Sequence, residues 1–396
     1  MTEKKNAVHI LLHRPTPWVS DIKCSTKIYA EHFRDDGYDV TYLEGLPHLG
    51  HLAARRGYYP FWRRTPRWQD GVWIVSAAAV IPFLKIPPFR SSWAARANYF
   101  TCVPSIPSLV RRSGRIRPDV IWTAKPGSSA LKRLFPNAIL IFQVVDYYPA
   151  FTGGYIKKTE KQDYERADHV FVIGRALQDY LTGELNIASD KITVLNQGVS
   201  LGEYSGEYAE PEDLKPIPRP RAIYVGVLGK CDPSLFEAAA SRLQKIGGSL
   251  VLIGPAADWV SSMSGKFSNV FALGPKPPDI VPAYLKNSDV GLMLYDLERM
   301  IVYRGQNPLK LYQYAAAGLP ILSTPHDEFE YIEPPVLEVR SPLDVPKALD
   351  AALRKRSDWR LKTMRFAEQY SWSKSFREAE SIIRNLLQDK RGTRGR

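Results

Sequence analysis

Short apolar runs alternate along the chain with amphipathic stretches. The runs at 8–12, 38–43, 72–77, 120–124, 139–145, 169–173 and 192–195 are rich in Val, Ile, Leu and aromatic residues, and each is short enough to be a strand. Residues 22–33 carry their apolar positions at helical spacing, and helical patterns fall between most of the other runs. This alternation predicts a doubly wound α/β domain around a parallel sheet, because parallel neighbours need a crossover and the crossover is usually a helix. No GxGxxG follows the first run, so the dinucleotide fingerprint is absent there.

At 201–220 the pattern breaks. "LGEYSGEYAEPEDLKPIPRP" is polar and holds four prolines, which predicts a linker between domains. The alternation then resumes, with strands at 222–227, 250–253, 270–273, 290–294 and 321–323 and helices at 233–245, 278–286 and 308–317. Helical patterns at 343–355, 360–370 and 373–388 follow, and the basic tail "DKRGTRGR" predicts disorder. The expected organisation is a first Rossmann-like domain over 1–200, the linker over 201–220, a second over 221–372, and a C-terminal helix with its tail over 373–396. Two such halves face a cleft in several enzyme classes, epimerases and some kinases among them. Ligands of these sheets bind at the carboxyl ends of the strands, so candidate chemistry is sought just after strands.

Charge refines the picture. The net charge is +13, and most of the excess lies in one segment: between His51 and Arg117 twelve Lys and Arg stand against the single acid Asp70. Trp62, Arg63, Arg64 and Trp68 lie in it, with Trp73, Trp93 and several Tyr and Phe. Basic residues interleaved with aromatics suit an anionic membrane surface, where each cation contributes about 1 kcal/mol. They also suit single-stranded nucleic acid, or a solvated basic face over an aromatic core. The longest apolar stretch, 71–84, has 14 residues and stops at Lys85, short of a membrane span. The expectation is a soluble or surface-attached protein with no signal peptide. Three widely spaced cysteines form no CxxC pair, which argues against a disulfide framework or zinc site. No DxD or His/Cys/Asp cluster has metal spacing, so no metal is expected.

One helix carries a candidate site. In "NPLKLYQYAAAGLP" (307–320), Asn307 suits an N-cap, Pro308 a first helical residue and Gly318 a C-terminal stop. Lys310 and Gln313 share a face, beside alanines that allow close packing on a sheet. A lysine in the first turn opposes the helix dipole unless an anion such as a diphosphate offsets it; the alternative is a buried helix with a snorkelling lysine.

"PLKLYQYAAAGLPIL" (308–322) resembles the nucleotide-sugar helix of GT-B glycosyltransferases, which usually ends in Glu-Tyr-x-Ala-x-Gly-x-Pro. "YVGVLG" (224–229) resembles the strand opening their C-terminal domain, and "VLNQGV" (194–199) the segment before their linker. Retaining family 4 members carry Glu-x7-Glu; here those positions are Gly305 and Gln313. A closer likeness is to family 70, that of the xanthan β-glucuronosyltransferase, whose members are inverting, metal-independent and membrane-associated. That family's nucleotide-site spacing is matched by Tyr295, Leu309, Lys310 and Gln313, whereas a glutamate it uses near the base falls at Pro275. The resemblance implies a GT-B fold, an N-terminal acceptor domain, a C-terminal nucleotide-sugar domain and no cofactor beyond the donor.

An inverting transferase needs a base for the acceptor hydroxyl. Asp146 ends the apolar run "ILIFQVVD", and the resemblance puts the catalytic aspartate in this region; a turn aspartate is the alternative. Asp21 and His13, after the first strand, are fallbacks, and Asp163 and Glu165 read as a solvated helix face. Lys230, at the end of a strand, could meet a phosphate. Arg299 and Arg304 could pair with a sugar carboxylate. With the resemblance to family 70, these residues imply an inverting UDP-sugar transferase on the inner membrane surface, with UDP-glucuronate as donor and a lipid-linked saccharide as acceptor, in exopolysaccharide synthesis, and with no nucleic-acid partner. Three alternatives stay open: a retaining GT-B transferase with another donor, a UDP-sugar 2-epimerase, and a non-catalytic membrane- or RNA-binding protein.

Overall fold

The computed structural model describes residues 8–20, 24–48, 65–81, 89, 91–299, 303 and 305–392. The chain divides into two compact units, one of residues 1–195 with 376–396, the other of 196–375. Each is built on its own sheet.

The first sheet has eight strands: β1 (His9–His13), β2 (Asp39–Leu43), β3 (Arg67–Gln69), β4 (Val72–Val75), β5 (Val120–Thr123), β6 (Ile139–Val144), β7 (His169–Val172) and β8 (Ile192–Val194). Their order is β3-β4-β2-β1-β5-β6-β7-β8, parallel throughout except for β3, which pairs antiparallel with β4. The second sheet has six: β9 (Arg221–Val225), β10 (Ser249–Ile253), β11 (Val270–Gly274), β12 (Val290–Met293), β13 (Ile321–Ser323) and β14 (Val336–Glu338). Their order is β11-β10-β9-β12-β13-β14, with every pairing parallel. β1, β5, β6, β10 and β12 are buried along most or all of their length, which is why they read as continuous apolar runs rather than alternating ones. The strand order reverses direction beside β1 in the first sheet and beside β9 in the second. Those two points are where doubly wound sheets open a crevice.

The helices that matter below are α1 (Ser25–Asp35), α2 (Ser92–Thr101), α3 (Ile106–Arg112), α4 (Ile156–Arg166), α5 (Pro233–Lys245), α6 (Leu309–Ala316), α7 (Asp344–Arg354), α8 (Arg356–Gln369) and α9 (Trp372–Gly392). From Phe376 onward α9 belongs to the first unit. There Phe376 stacks on His32 at 5.0 Å, and the Glu380 carboxylate accepts from the Tyr38 hydroxyl at 2.7 Å.

The structure differs from the sequence pattern at several points. β3 and β14 are three-residue edge strands with no apolar run to reveal them. Residues 201–220 lie within the second unit rather than outside it: Leu214 and Ile217 join its core, and Asp213 accepts from Lys276 and Tyr284. The prolines mark a wrapped segment whose few apolar side chains are enough to dock it. Asp163 is fully buried on α4, not solvated, because it accepts from the Gly127 N–H, the Ser129 hydroxyl and Arg96 of α2. Its neighbour one turn back, Glu160, is also fully buried and accepts from Tyr164 and Tyr180.

Candidate functional site

The second unit brings its site together at the reversal point of its sheet. Tyr224 is the fourth residue of β9, and Tyr295 lies just past β12, the neighbouring strand. Between these two rings sits the ammonium of Lys310, from the first turn of α6. Its Nζ donates to the Tyr224 hydroxyl at 3.0 Å and to the Tyr295 hydroxyl at 2.9 Å. The same cation lies 4.3 Å and 4.9 Å from the two ring centroids, so hydroxyls and ring faces both hold it. Desolvation lowers Lys310 to about 8, which leaves it cationic at neutral pH with no carboxylate among these contacts.

Glycine makes the room. Gly226 follows β9 with a φ of +142°, and a Cβ built there would stand 2.9 Å from Lys310 Nζ. Gly254, at the end of β10, has a φ of +146° and approaches so closely that a Cβ would collide with the Gly226 carbonyl oxygen. The two glycines let the backbone turns at the carboxyl ends of adjacent strands pack directly against each other and against the Lys310 ammonium.

α6 is held from below. Tyr314 packs on Gly291 of β12, where a Cβ would meet its ring at 2.5 Å, and its hydroxyl accepts from the Val225 N–H at 2.9 Å. Asn307 does not cap the helix. The N-cap is Pro308, and Asn307 is buried, accepting from the Tyr312 hydroxyl at 2.7 Å. The tyrosine ring beneath the helix competes for the asparagine and wins it. Gly318 ends the helix with a φ of +76°, and the Leu319 N–H reaches back to the Tyr314 carbonyl. Gln313 is half-buried on the face of Lys310, one turn along, and Leu309 is half-buried beside it.

Lys230 closes the loop after β9, half-buried, and its carbonyl accepts from the Tyr303 hydroxyl at 2.8 Å. Tyr303 also lies against Tyr295, with centroids 5.0 Å apart. The Lys230 main chain thus meets one member of a tyrosine pair whose other member, Tyr295, meets the Lys310 ammonium. Arg299 is exposed, bonded to the Gly229 carbonyl, and Arg304 lies outside the described residues.

In the first unit Asp146 lies two residues past β6, half-buried at the carboxyl end of the sheet. Burial first, and then the Asp146 charge, raise the neighbouring Tyr148, whose hydroxyl donates to the Ala124 carbonyl past β5. Asp21 lies outside the described residues. His13 is not a base. It is fully buried, with Nδ1 on the Leu43 carbonyl at 3.0 Å and Nε2 on the Tyr99 hydroxyl at 3.0 Å, and burial lowers it to about 3. Both nitrogens serve the core.

Trp62, Arg63 and Arg64 lie outside the described residues. Trp68 stands on edge strand β3, 58% exposed, with its ring edge-on to Trp73. Trp93 on α2 is more exposed still. No helix among the described residues is long and apolar enough to cross a membrane. No cluster of three or more His, Cys, Asp or Glu among them could hold a metal ion.

The sequence pattern missed Tyr224 as a partner of Lys310 and gave Gly226 no role. The signal for Gly226 was its place after a strand; for Tyr224 there was none, since a tyrosine inside a buried strand reads as core.

The chain is similar to known proteins. Residues 26–203 match the family described as Glycosyltransferase Family 4. The match does not extend to 305–313. A Bacillus subtilis (strain 168) protein provisionally named teichuronic acid biosynthesis glycosyltransferase TuaH is 25% identical over 299 residues, 69% of this chain and 74% of that protein. Among solved structures, sucrose-phosphate synthase from Thermosynechococcus elongatus superposes with a TM-score of 0.69 at 15% identity, over 96% of this chain and all of that one. Anabaena Alr3699/HepE, in complex with UDP and glucose, does so with a TM-score of 0.66 at 11% identity, again over 96% of this chain and all of that one. The fold is GT-B, and the protein is a glycosyltransferase.

Proposed function

We propose that this enzyme is an inverting, metal-independent glycosyltransferase of the family 70 type. It moves glucuronate from UDP-glucuronate to a lipid-linked saccharide in exopolysaccharide synthesis, working at the inner face of the cell membrane. The observation that carries the reading is the Lys310 ammonium, held by Tyr224 and Tyr295 over Gly226 at the reversal point of the second sheet. A cation beside glycine backbone at strand ends suits a diphosphate, and UDP is what the HepE structure holds. The relative named for teichuronic acid supports a uronic acid donor and a polymer product.

In this reading Asp146 takes the proton of the acceptor hydroxyl. The oxygen so activated attacks the anomeric carbon as the bond to the diphosphate breaks, and the configuration inverts. The charge appearing on the leaving UDP falls to Lys310, supported by Lys230, so no divalent cation is required. Gln313 and Leu309 fix the nucleoside, Tyr295 holds Lys310 in place, and Arg304 meets the sugar carboxylate. The basic aromatic segment around Trp62, Arg63, Arg64 and Trp68 meets lipid and acceptor. Replacement of the retaining pair by Gly305 and Gln313 favours inversion over the retaining alternative.

The test is transfer from a panel of UDP-sugars to a lipid-linked acceptor, with the product anomer assigned by NMR. Inverted product from UDP-glucuronate, lost on Asp146→Asn by about 10²-fold or more while UDP still binds, is the expected result. Retained configuration, or full activity of Asp146→Asn, overturns the mechanism; release of a 2-epimer without acceptor would make the protein an epimerase.

A further inference from the structure

His326 lies three residues past β13, beside the site but with no part in it so far. It is 4% exposed, and neither Nδ1 nor Nε2 has a hydrogen-bond partner among the described residues. The other fully or nearly fully buried histidines behave differently. His9 meets the Arg117 carbonyl and Thr41, and His13 meets the Leu43 carbonyl and Tyr99, so each has both nitrogens engaged. His326 instead stands edge-on to Tyr295, with centroids 5.2 Å apart at 88°, and against Phe329 at 5.0 Å. A phenylalanine would fill nearly the same space and leave no polar atom unsatisfied. As a core residue the imidazole is thus the costlier choice.

We propose that His326 is a binding residue for the donor, its imidazole N–H donating to an oxygen of the donor diphosphate beside Lys310. This rests on the nucleotide-sugar reading above. Three observations converge on it. First, the residue follows β13, which pairs with β12, so it sits at the carboxyl ends where ligands of such sheets lie. Second, it packs on Tyr295, whose hydroxyl holds the Lys310 ammonium. Third, its polar atoms are idle, and a ligand oxygen supplies the missing acceptor. Burial and the nearby Lys310 charge keep the ring neutral, so it offers a directional donor without adding a second cation to repel the first. Because both nitrogens are shielded from solvent, engagement requires a small rotation of the ring or of the Tyr295–Phe329 packing around it.

The proposal predicts opposite signs for stability and affinity. His326→Phe and His326→Gln are made in the full chain. Each is melted and titrated calorimetrically with uridine, UDP and UDP-glucose, beside wild type and Lys310→Met. His326→Phe is expected to melt at or above wild type yet bind UDP about tenfold more weakly, one hydrogen bond to a charged group, with uridine binding unchanged. His326→Gln, which keeps a side-chain N–H, recovers part of the loss. Wild-type UDP affinity in His326→Phe overturns the proposal, as does an equal loss for uridine and UDP. If His326→Phe does not fold, His326→Leu replaces it, and the proposal then requires Leu to lose what Gln retains. If Lys310→Met weakens UDP binding and neither His326 variant does, the inference fails alone. If wild type does not bind UDP, it fails together with the nucleotide reading.

Discussion

Lys310→Met removes one charge and little volume, and it is the sharpest perturbation of the nucleotide site. In the free protein the ammonium makes two hydrogen bonds to tyrosine hydroxyls and two ring contacts, with no carboxylate among them. At about 4 Å from a phosphate charge, with the effective dielectric of a partly exposed site, the attraction is about 4 kcal/mol. The two hydroxyls and ring faces already hold the cation, so the net loss on substitution is about 2–3 kcal/mol, or roughly 30- to 160-fold in UDP affinity. The pH dependence gives an independent check. Burial places Lys310 at about 8 in the free protein, against an ordinary 10.5. A bound diphosphate favours the charged form and raises it again. Affinity is then flat from pH 7 to 8 and falls by up to about tenfold per pH unit above, with proton uptake on binding. The phosphate itself is fully ionised over this range and adds no slope. Folding stability moves the other way: between pH 8 and 10.5 the unfolded chain holds the proton and the folded one does not, so this residue's contribution to stability rises with pH. The assay is calorimetry at pH 8.5 in two buffers of different ionisation enthalpy. A Lys310→Met affinity within twofold of wild type, or a wild-type affinity that does not change up to pH 9.5, would refute the assignment.

Other substitutions test the scaffold around the two candidate sites. Gly226→Ala puts a Cβ 2.9 Å from Lys310 Nζ at a φ of +142°; a strain of about 1–3 kcal/mol and weaker UDP binding are expected, measured by denaturant unfolding and calorimetry. Asp163→Ala removes the acceptor of three donors and strands the Arg96 guanidinium; a loss of about 3–5 kcal/mol is expected from urea unfolding. Glu160 is raised to about 7, chiefly by burial, so between its ordinary 4.5 and 7 the folded state binds the extra proton and this group's contribution to stability falls as pH rises. Glu160→Gln should flatten the stability profile by that component between pH 5 and 7, and an unchanged slope would show that the folded state does not hold the extra proton on this carboxyl.

How much of this was legible in the chain follows from what each feature depends on. The strand runs were legible because parallel strands covered on both faces must be apolar along their length, and "ILIFQV" and "SLVLI" are. The helix Pro233–Lys245 was legible because its apolar positions recur at helical spacing behind Asp232 and Pro233. The pairing of Lys310 with Gln313 was legible because three residues on a helix share a face, whatever the rest of the fold does. Other features depend on which segments meet. β3 and β14 exist through the backbone bonds of β4 and β13, not through any pattern of their own. Asp163 reads as one more charge on a polar helix until Arg96, Gly127 and Ser129 arrive from three separate segments. Tyr224 and Lys310 lie 86 positions apart and meet only because β9 pairs with β12 and α6 returns over both. The idle nitrogens of His326 have no counterpart in the sequence at all. The sequence by itself determined the alternation of elements, the two-sheet architecture and the face that Lys310 shares with Gln313, since periodicity is a property of neighbours along the chain. Tertiary structure decided which charges are buried, which are partnered and which strand ends converge, because desolvation and hydrogen bonding depend on distance in space.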